Sequence, residues 1–306
     1  MPTGRGDLSS ATIDGKIYAI GGGVGLFPGL SLSVVEEYNP VKDTWTKKAD
    51  MPTARMAQRS VAVNGKIYVI GGAPDNNTVL STVEEYDPMT NKWTKKADMP
   101  TARSCLSTSV VDGKIYAIGG GDTNSTFPTV EEYDPVPDKW KKKSDMPTPR
   151  YYHSASVVNG KIYVIGGSFV PQKVLPTVEE YDPAIDKWTR KANMPTARDN
   201  LCTCVSGRRI YAIGGWPNCG SIVEEYNPVT DTWIKKAGMP TSRYAFTTSE
   251  VNGKIYAIGG NGPDNPNCIS TMEEYTPDDW QPGQAVFLQG KLPKTWGKLK
   301  NPRNPE

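Results

Sequence analysis

Histidine is almost missing from this chain: among 306 residues there is one, His153. A metal centre built from several imidazoles is therefore excluded, because such ligands must converge on one ion. Cysteine is scarce too, and five residues are too few for a disulfide framework in a chain of this length. The pair Cys202 and Cys204 has no further Cys or His cluster to complete a metal site and is expected as small buried packing. No metal and no cofactor are expected. Charge of one sign is lacking as well: 35 Lys+Arg stand against 33 Asp+Glu, a formal net charge of +2. Nucleic acid is not expected as a partner without a clustered basic excess. No run is long and apolar enough to cross a membrane, and no basic, apolar leader precedes the first ordered pattern. The cytoplasm is the default expectation, with export the alternative if a leader has been removed.

Turn formers and aromatics are abundant: 30 Gly, 26 Pro, 15 Tyr and 8 Trp. They fall in register. The motif MPTxR ends at Arg5, Arg55, Arg103, Arg150, Arg198 and Arg243; Gly-Gly recurs six times, as does Glu-Glu-Tyr, and Trp recurs at 45, 93, 140, 188 and 233. These are six copies, about 1–50, 51–98, 99–145, 146–193, 194–238 and 239–281. Each holds four short strand signals, as in SVAV, KIYVI, VEEY and KWTKK of the second copy. Asn-Gly or Asp-Gly joins strands one and two, a type I′ signal; the fifth copy has Gly207-Arg208, which suits type II′. Asn-Pro or Asp-Pro opens the turn between strands three and four. Four antiparallel strands per copy bury both faces only when stacked radially. The predicted fold is all-β, a six-bladed β-propeller with four antiparallel strands per blade.

Spacing separates scaffold from surface. From Arg to the Ile of strand two is twelve residues in all six copies, and from Trp to the next Arg is ten at all five junctions. From the second Gly to Tyr, by contrast, is 16, 14, 13, 14, 11 and 15 residues. Only the loop between strands two and three varies, and variable surface loops carry function. Antiparallel order puts these loops and the segments after each Arg on one rim. The period, the Gly-Gly pair and the spaced Tyr and Trp resemble the kelch repeat family over about residues 1–281. That resemblance implies ligand binding on this same rim.

Six-fold identity points to scaffold. The Glu-Glu of strand three is expected to face the Lys-Lys of strand four, as Glu84 and Glu85 with Lys95 and Lys96. For the repeated arginines a structural role comes first, but the resemblance implies that a matching Arg sometimes reaches the ligand; Arg55 and Arg150 are kept as site candidates. Deviations from the repeat carry the functional reading. The residues after each Arg read GDL, MAQ, SCL, YYH, DNL and YAF. From them come Tyr151, Tyr152, His153, Tyr244 and Phe246 as aromatic surface, and Gln58, Asp199 and Asn200 as polar contacts. The variable loops add Phe169 and Trp216, with Asp75, Asn76, Asp122, Asn218 and Asp264; exposed rim aromatics suit peptide or sugar recognition. Arg59 breaks a rule of small residues at the start of strand one and is expected to project into the axial channel. Glu250 stands where other copies are Thr, Ala or Val, and an ion pair with Arg208 or Arg209 of blade five is expected. A Cys219–Cys268 disulfide between the loops of blades five and six is conceivable.

The sixth copy departs from the pattern, since Tyr275 to Trp280 is five residues rather than seven. Downstream, TWGKLK at 295–300 is similar to the fourth-strand pattern. An outer strand around Trp296 is favoured over a wholly polar tail at 282–306. The favoured function is non-catalytic recognition of a protein or peptide by a monomer. The alternative is a carbohydrate-binding or sugar-epimerising protein, since kelch-type propellers include a sialic acid epimerase. Their copper oxidases of galactose need more than the one histidine present. The Gly-Gly pairs end strands and open no helix, so no phosphate-binding loop is read.

Overall fold

Asn64 at φ 51° and Gly65 at φ 72° turn the chain between its first two strands in blade two, the two left-handed residues that a type I′ turn requires. The same geometry recurs at Asp14-Gly15, Asp112-Gly113, Asn159-Gly160 and Asn252-Gly253. At Gly207-Arg208 only the glycine has positive φ, as type II′ demands. A computed structural model describes residues 1–25, 29–169, 173–217, 220–262, 268–277 and 297–299. Among these there is no helix, and six four-stranded antiparallel sheets form the six blades. Blade two is representative: Arg59–Val63, Lys66–Ile70, Val83–Asp87 and Lys92–Lys95, paired in chain order.

Each blade is covered on both faces by its neighbours. Second strands such as Lys66–Ile70 are therefore buried after their first residue, while fourth strands lie largely in solvent. Six apolar clusters fill the six blade interfaces. Between blades one and two, for example, Tyr18 and Ile20 meet Met51, Ile67 and Tyr86. The Tyr86 ring lies 5.0 Å from Trp93 and 6.1 Å from Tyr18, contacts contributing about 0.5–1.5 kcal/mol beyond area burial. Trp93 Nε1 donates to Ala49 O of the preceding blade at 3.0 Å. Asn91 Oδ1 accepts from Tyr86 Oη and from Ala49 N. Asp138, Asp186 and Asp231 repeat both bonds. This Asn or Asp five residues after Tyr is a sequence signal not read above.

All four strands of every blade run in chain order, so packing rather than strand exchange closes the ring. Met1 is buried with Leu8, Ile17 and Ile258 between blades one and six, and its amino group donates to Ser270 O at 2.8 Å. In blade six the fourth strand is Gly297–Leu299, with Lys298 opposite Glu273 as Lys95 is opposite Glu84. Trp280 and Trp296 lie outside the described residues.

Two electrostatic expectations are corrected. The first Glu of each pair does not serve the Lys-Lys of strand four. It binds the buried MPTxR arginine of its own blade, as Glu84 with Arg55 and Glu131 with Arg103. The second Glu takes the long-reach lysines and a Tyr hydroxyl: Glu85 pairs with Lys96 and accepts from Tyr68 Oη, whereas Lys95 turns to Asp98. Glu250 forms no ion pair among the described residues. Its Oε1 accepts from Gly253 N in its own hairpin, while Arg209 pairs with Glu225.

Candidate functional site

The three residues after each arginine have three separate jobs. The first pairs with the residue after Gly-Gly of its own blade, as Met56 with Ala73, Tyr151 with Ser168, Asp199 with Trp216 and Tyr244 with Asn261. The second turns left-handed, with φ between 49° and 53° at Asp7, Ala57, Cys105, Tyr152, Asn200 and Ala245. Their backbones form a closed ring: the N–H of Ala57 donates to Asp7 O, Cys105 to Ala57, Tyr152 to Cys105, Asn200 to Tyr152, Ala245 to Asn200 and Asp7 to Ala245, all at 2.7–3.1 Å. The third residue turns down between blades. Leu8, Gln58, Leu106, His153, Leu201 and Phe246 are all buried.

This division relocates several expected rim residues. His153 and Gln58 have no accessible surface, and Phe246 is buried, so in this conformation they are part of the interior rather than of a recognition wall. His153 Nε2 lies 3.1 Å from Ile118 O, and Gln58 Nε2 donates at 2.9 Å to Ile20 O, the equivalent carbonyl. Burial, with the charges of Arg150 and Arg59, holds the imidazole pKa well below its usual value. Arg55 and Arg150 are likewise wholly buried. Arg55 Nη1 donates to Gly71 O and Thr82 O, both at 2.9 Å, and Nη2 to Glu84. Gly71 and Thr82 are the two feet of the variable loop, so the arginine clamps the base of the surface without reaching it. Arg150 does the same at Gly166 and Thr177. Gly71 and Gly72 let the next blade come close: both have positive φ, Gly72 N donates to Arg103 O at 3.0 Å, and a Cβ on Gly71 would lie 2.5 Å from that oxygen.

On the surface, a cleft of about 160 Å³ opens over blades two to four. Tyr151 and Tyr152, with ring centroids 4.8 Å apart, form one side. Met56, Ala57 and Cys105 give it an apolar base, and Asp75 and Asp122 stand on its loops. Each of these two aspartates uses Oδ1 to accept two backbone N–H groups of its own loop, at 2.7–2.8 Å. Asp7 closes the axial side; burial raises its pKa to about 6 against the opposing pull of Arg59. Burial pushes the Cys105 thiol up to about 11, so it is protonated at neutral pH. Trp216 and Tyr244 lie on a different arc, over blades five and six, with ring centroids 5.4 Å apart and Trp216 45% exposed. Asp199 is buried there and accepts from Ser168 Oγ at 2.7 Å. Asn200 is half-buried in the ring, and Phe169 sits in a small ribbon with Lys173–Val174. Asn218, Cys219 and Asp264 lie outside the described residues; Cys268 Sγ points to Gly23 O at 3.5 Å. No group of three metal-ligating side chains occurs among the described residues. Met56, Ala57, Asp7 and Cys105 were not legible as cleft residues: Ala and Cys give no signal for a left-handed backbone.

These features define a repeat propeller with a variable rim, a hydrogen-bonded neck and an axial channel. The chain belongs to the kelch-repeat family: the family model described as the KLHDC2/KLHL20/DRC7 Kelch-repeats domain matches residues 7–215 and 139–260. Among solved structures, the one titled "Structure of YjhT" superposes with a TM-score of 0.79 at 18% identity, over 91% of this chain and 97% of that one. At that identity the likeness shows the fold alone. No curated protein matches the chain significantly. Kelch propellers are in general protein-interaction modules.

Proposed function

We propose that this protein is a non-catalytic binding module that takes a peptide segment of a partner protein, through a Lys or Arg side chain, in the cleft over blades two to four. The observation that carries the reading is the make-up of the cleft. Asp7, Asp75 and Asp122 supply carboxylates, Tyr151 and Tyr152 supply aromatic faces, and no Lys or Arg is among the described lining residues. A cation held over a tyrosine face gains about 0.5–2 kcal/mol, and nearby carboxylates add attraction that salt screens. The Asx-type turns of Asp75 and Asp122 leave one oxygen of each carboxylate for a ligand.

The test is a peptide array of basic, neutral and acidic sequences beside a glycan array, followed by fluorescence anisotropy on the hits. Basic peptides should bind, and more weakly as salt rises. Asp75→Asn with Asp122→Asn keeps the turn acceptors and removes both charges; it should weaken binding roughly tenfold or more. Tyr152→Ala should weaken it as well. Binding of free sugars lost on Trp216→Ala, with no basic-peptide binding, would overturn the reading.

A further inference from the structure

The floor of the cleft is also the head of the neck. Asp7, Ala57, Cys105 and Tyr152 line both, and the neck itself holds about 10 Å³, roughly one water. A side chain entering between the loops of blades two and three therefore stops at the backbone ring. The ring positions are Asp7, Ala57, Cys105, Tyr152, Asn200 and Ala245, so Asp7 is the one carboxylate among them. Asp7 stands on blade one and Tyr152 on blade four, opposite each other across the axis, and the charge of Asp7 is felt by the Tyr152 hydroxyl.

Nothing on the rim neutralises this carboxylate. Asp7 is half-buried, and its side chain accepts no hydrogen bond and forms no ion pair among the described residues. Arg59 of blade two also lines the neck and acts on Asp7 through space, favouring its charged form. Cys105 of blade three and Tyr152 of blade four are hydrogen-bonded to each other. Tyr244 of blade six feels the same charge, and blade five contributes the neutral Asn200. Cys105 keeps its proton through burial, Tyr152 through Cys105 and burial, and Tyr244 through burial. Of the groups around the head of the neck, Asp7 is thus the one that titrates between pH 5 and 8, near pH 6. A carboxylate held from water without a donor is costly, and a cation supplied from the rim removes that cost.

We propose that Asp7 is the terminal acceptor of the cleft, taking the charged tip of the partner's Lys or Arg at the head of the neck, so that a complex formed at neutral pH comes apart in mild acid. On the basic-peptide reading of the cleft, on which this rests, Asp7 gives the ligand an end stop and a pH of release. Asp75 and Asp122 stand on the loops above and draw the cation in. The ionised form of Asp7 takes the cation, so affinity is full above about pH 6 and is lost as pH falls through that value. The competent fraction drops from about nine-tenths at pH 7 to about one-tenth at pH 5, and affinity falls with it, about tenfold.

The test uses the full chain and rhodamine-labelled peptides carrying one Arg or one Lys between Gly-Ser flanks, with a citrulline peptide as the uncharged counterpart. Anisotropy is read from pH 5 to 8 at constant ionic strength. Wild type should bind the Arg and Lys peptides about tenfold more weakly at pH 5 than at pH 7. Asp7→Asn suits the left-handed backbone here, φ 49°, and should bind weakly with a flat pH profile. Asp75→Asn with Asp122→Asn should weaken binding at every pH and keep the slope. Arg59→Met removes the charge that favours ionised Asp7 and should move the midpoint to higher pH. Measurable binding without a slope between pH 5 and 7, or the same slope in Asp7→Asn, would overturn the role of Asp7 and leave the basic-peptide reading standing. No binding of the Arg and Lys peptides at pH 7, or equal binding of the citrulline peptide, would overturn that reading and the release with it. Should Asp7→Asn not fold, the Asp7 carboxyl carbon followed by NMR decides: a pKa lowered by the bound Arg peptide supports the role, and an unchanged one overturns it.

Discussion

Since Ile118 O can only accept, the proton of the His153 ring is on Nε2, and the imidazole is a neutral packing element between blades three and four. Leucine fills that place in blades one, three and five. His153→Leu should therefore leave stability at pH 7 nearly unchanged, within about 1 kcal/mol, and should not touch rim binding. Its effect is in acid. A folded pKa held below the unfolded value of about 6.5 gives stability that is present above pH 6.5 and lost as pH falls, because the unfolded state takes up the proton first. Wild type should thus lose up to about 2 kcal/mol through this group between pH 6.5 and 5, and His153→Leu should lose that much less. Urea titrations at pH 5, 6 and 7 check it; parallel pH profiles would mean that His153 charges freely in the folded chain.

Among the elements, the MPTxR segment and the third strand are coupled through the buried Arg–Glu pair. Arg103 and Glu131 approach to 3.0 Å with both side chains out of solvent, and Thr101 Oγ1 also donates to Glu131 at 2.9 Å. Burial lowers Arg103 to about 10 against the pull of Glu131, still charged at pH 7. Arg103→Met strands the carboxylate and should cost about 3–5 kcal/mol, whereas Arg103→Met with Glu131→Leu should recover most of it; urea unfolding of the two variants measures the difference. The blades themselves were legible because their determinants are local: a two-residue turn, a period of two and a fixed spacing. The Arg–Glu pair was not read, because partners 28 residues apart compete with the lysines directly across the strand pair. Six-fold co-occurrence of both residues was the available clue. Tyr151 and Tyr152 were legible at the cleft because they break the repeat. His153 also breaks it, but depth is set by which of three successive positions turns inward; the apolar Leu8, Leu106, Leu201 and Phe246 at that position were the available clue.

For the molecule as a whole, the radial order of strands separates stability from binding. First strands wall the axial channel and carry the ring; fourth strands are largely solvated and line neither the cleft nor the channel among the described residues. Gly297–Leu299 is the outer strand of blade six, paired with Met272–Glu274. A chain ending at Gly290 lacks it and leaves the third strand of that blade as an open edge. Such an edge offers unpaired N–H and C=O groups to other chains, while the inner strands of blade six still pack on blades five and one through Ile255, Tyr256 and Ile258. The truncated chain should accordingly melt several degrees lower and aggregate more readily, yet bind basic peptides with wild-type affinity. Differential scanning calorimetry with light scattering reads the first pair, and fluorescence anisotropy reads the binding. Loss of basic-peptide binding from a truncated chain that remains folded would mean that the ring is held under tension by its outer strand. The separation of an outer stabilising layer from an inner binding layer would then fail.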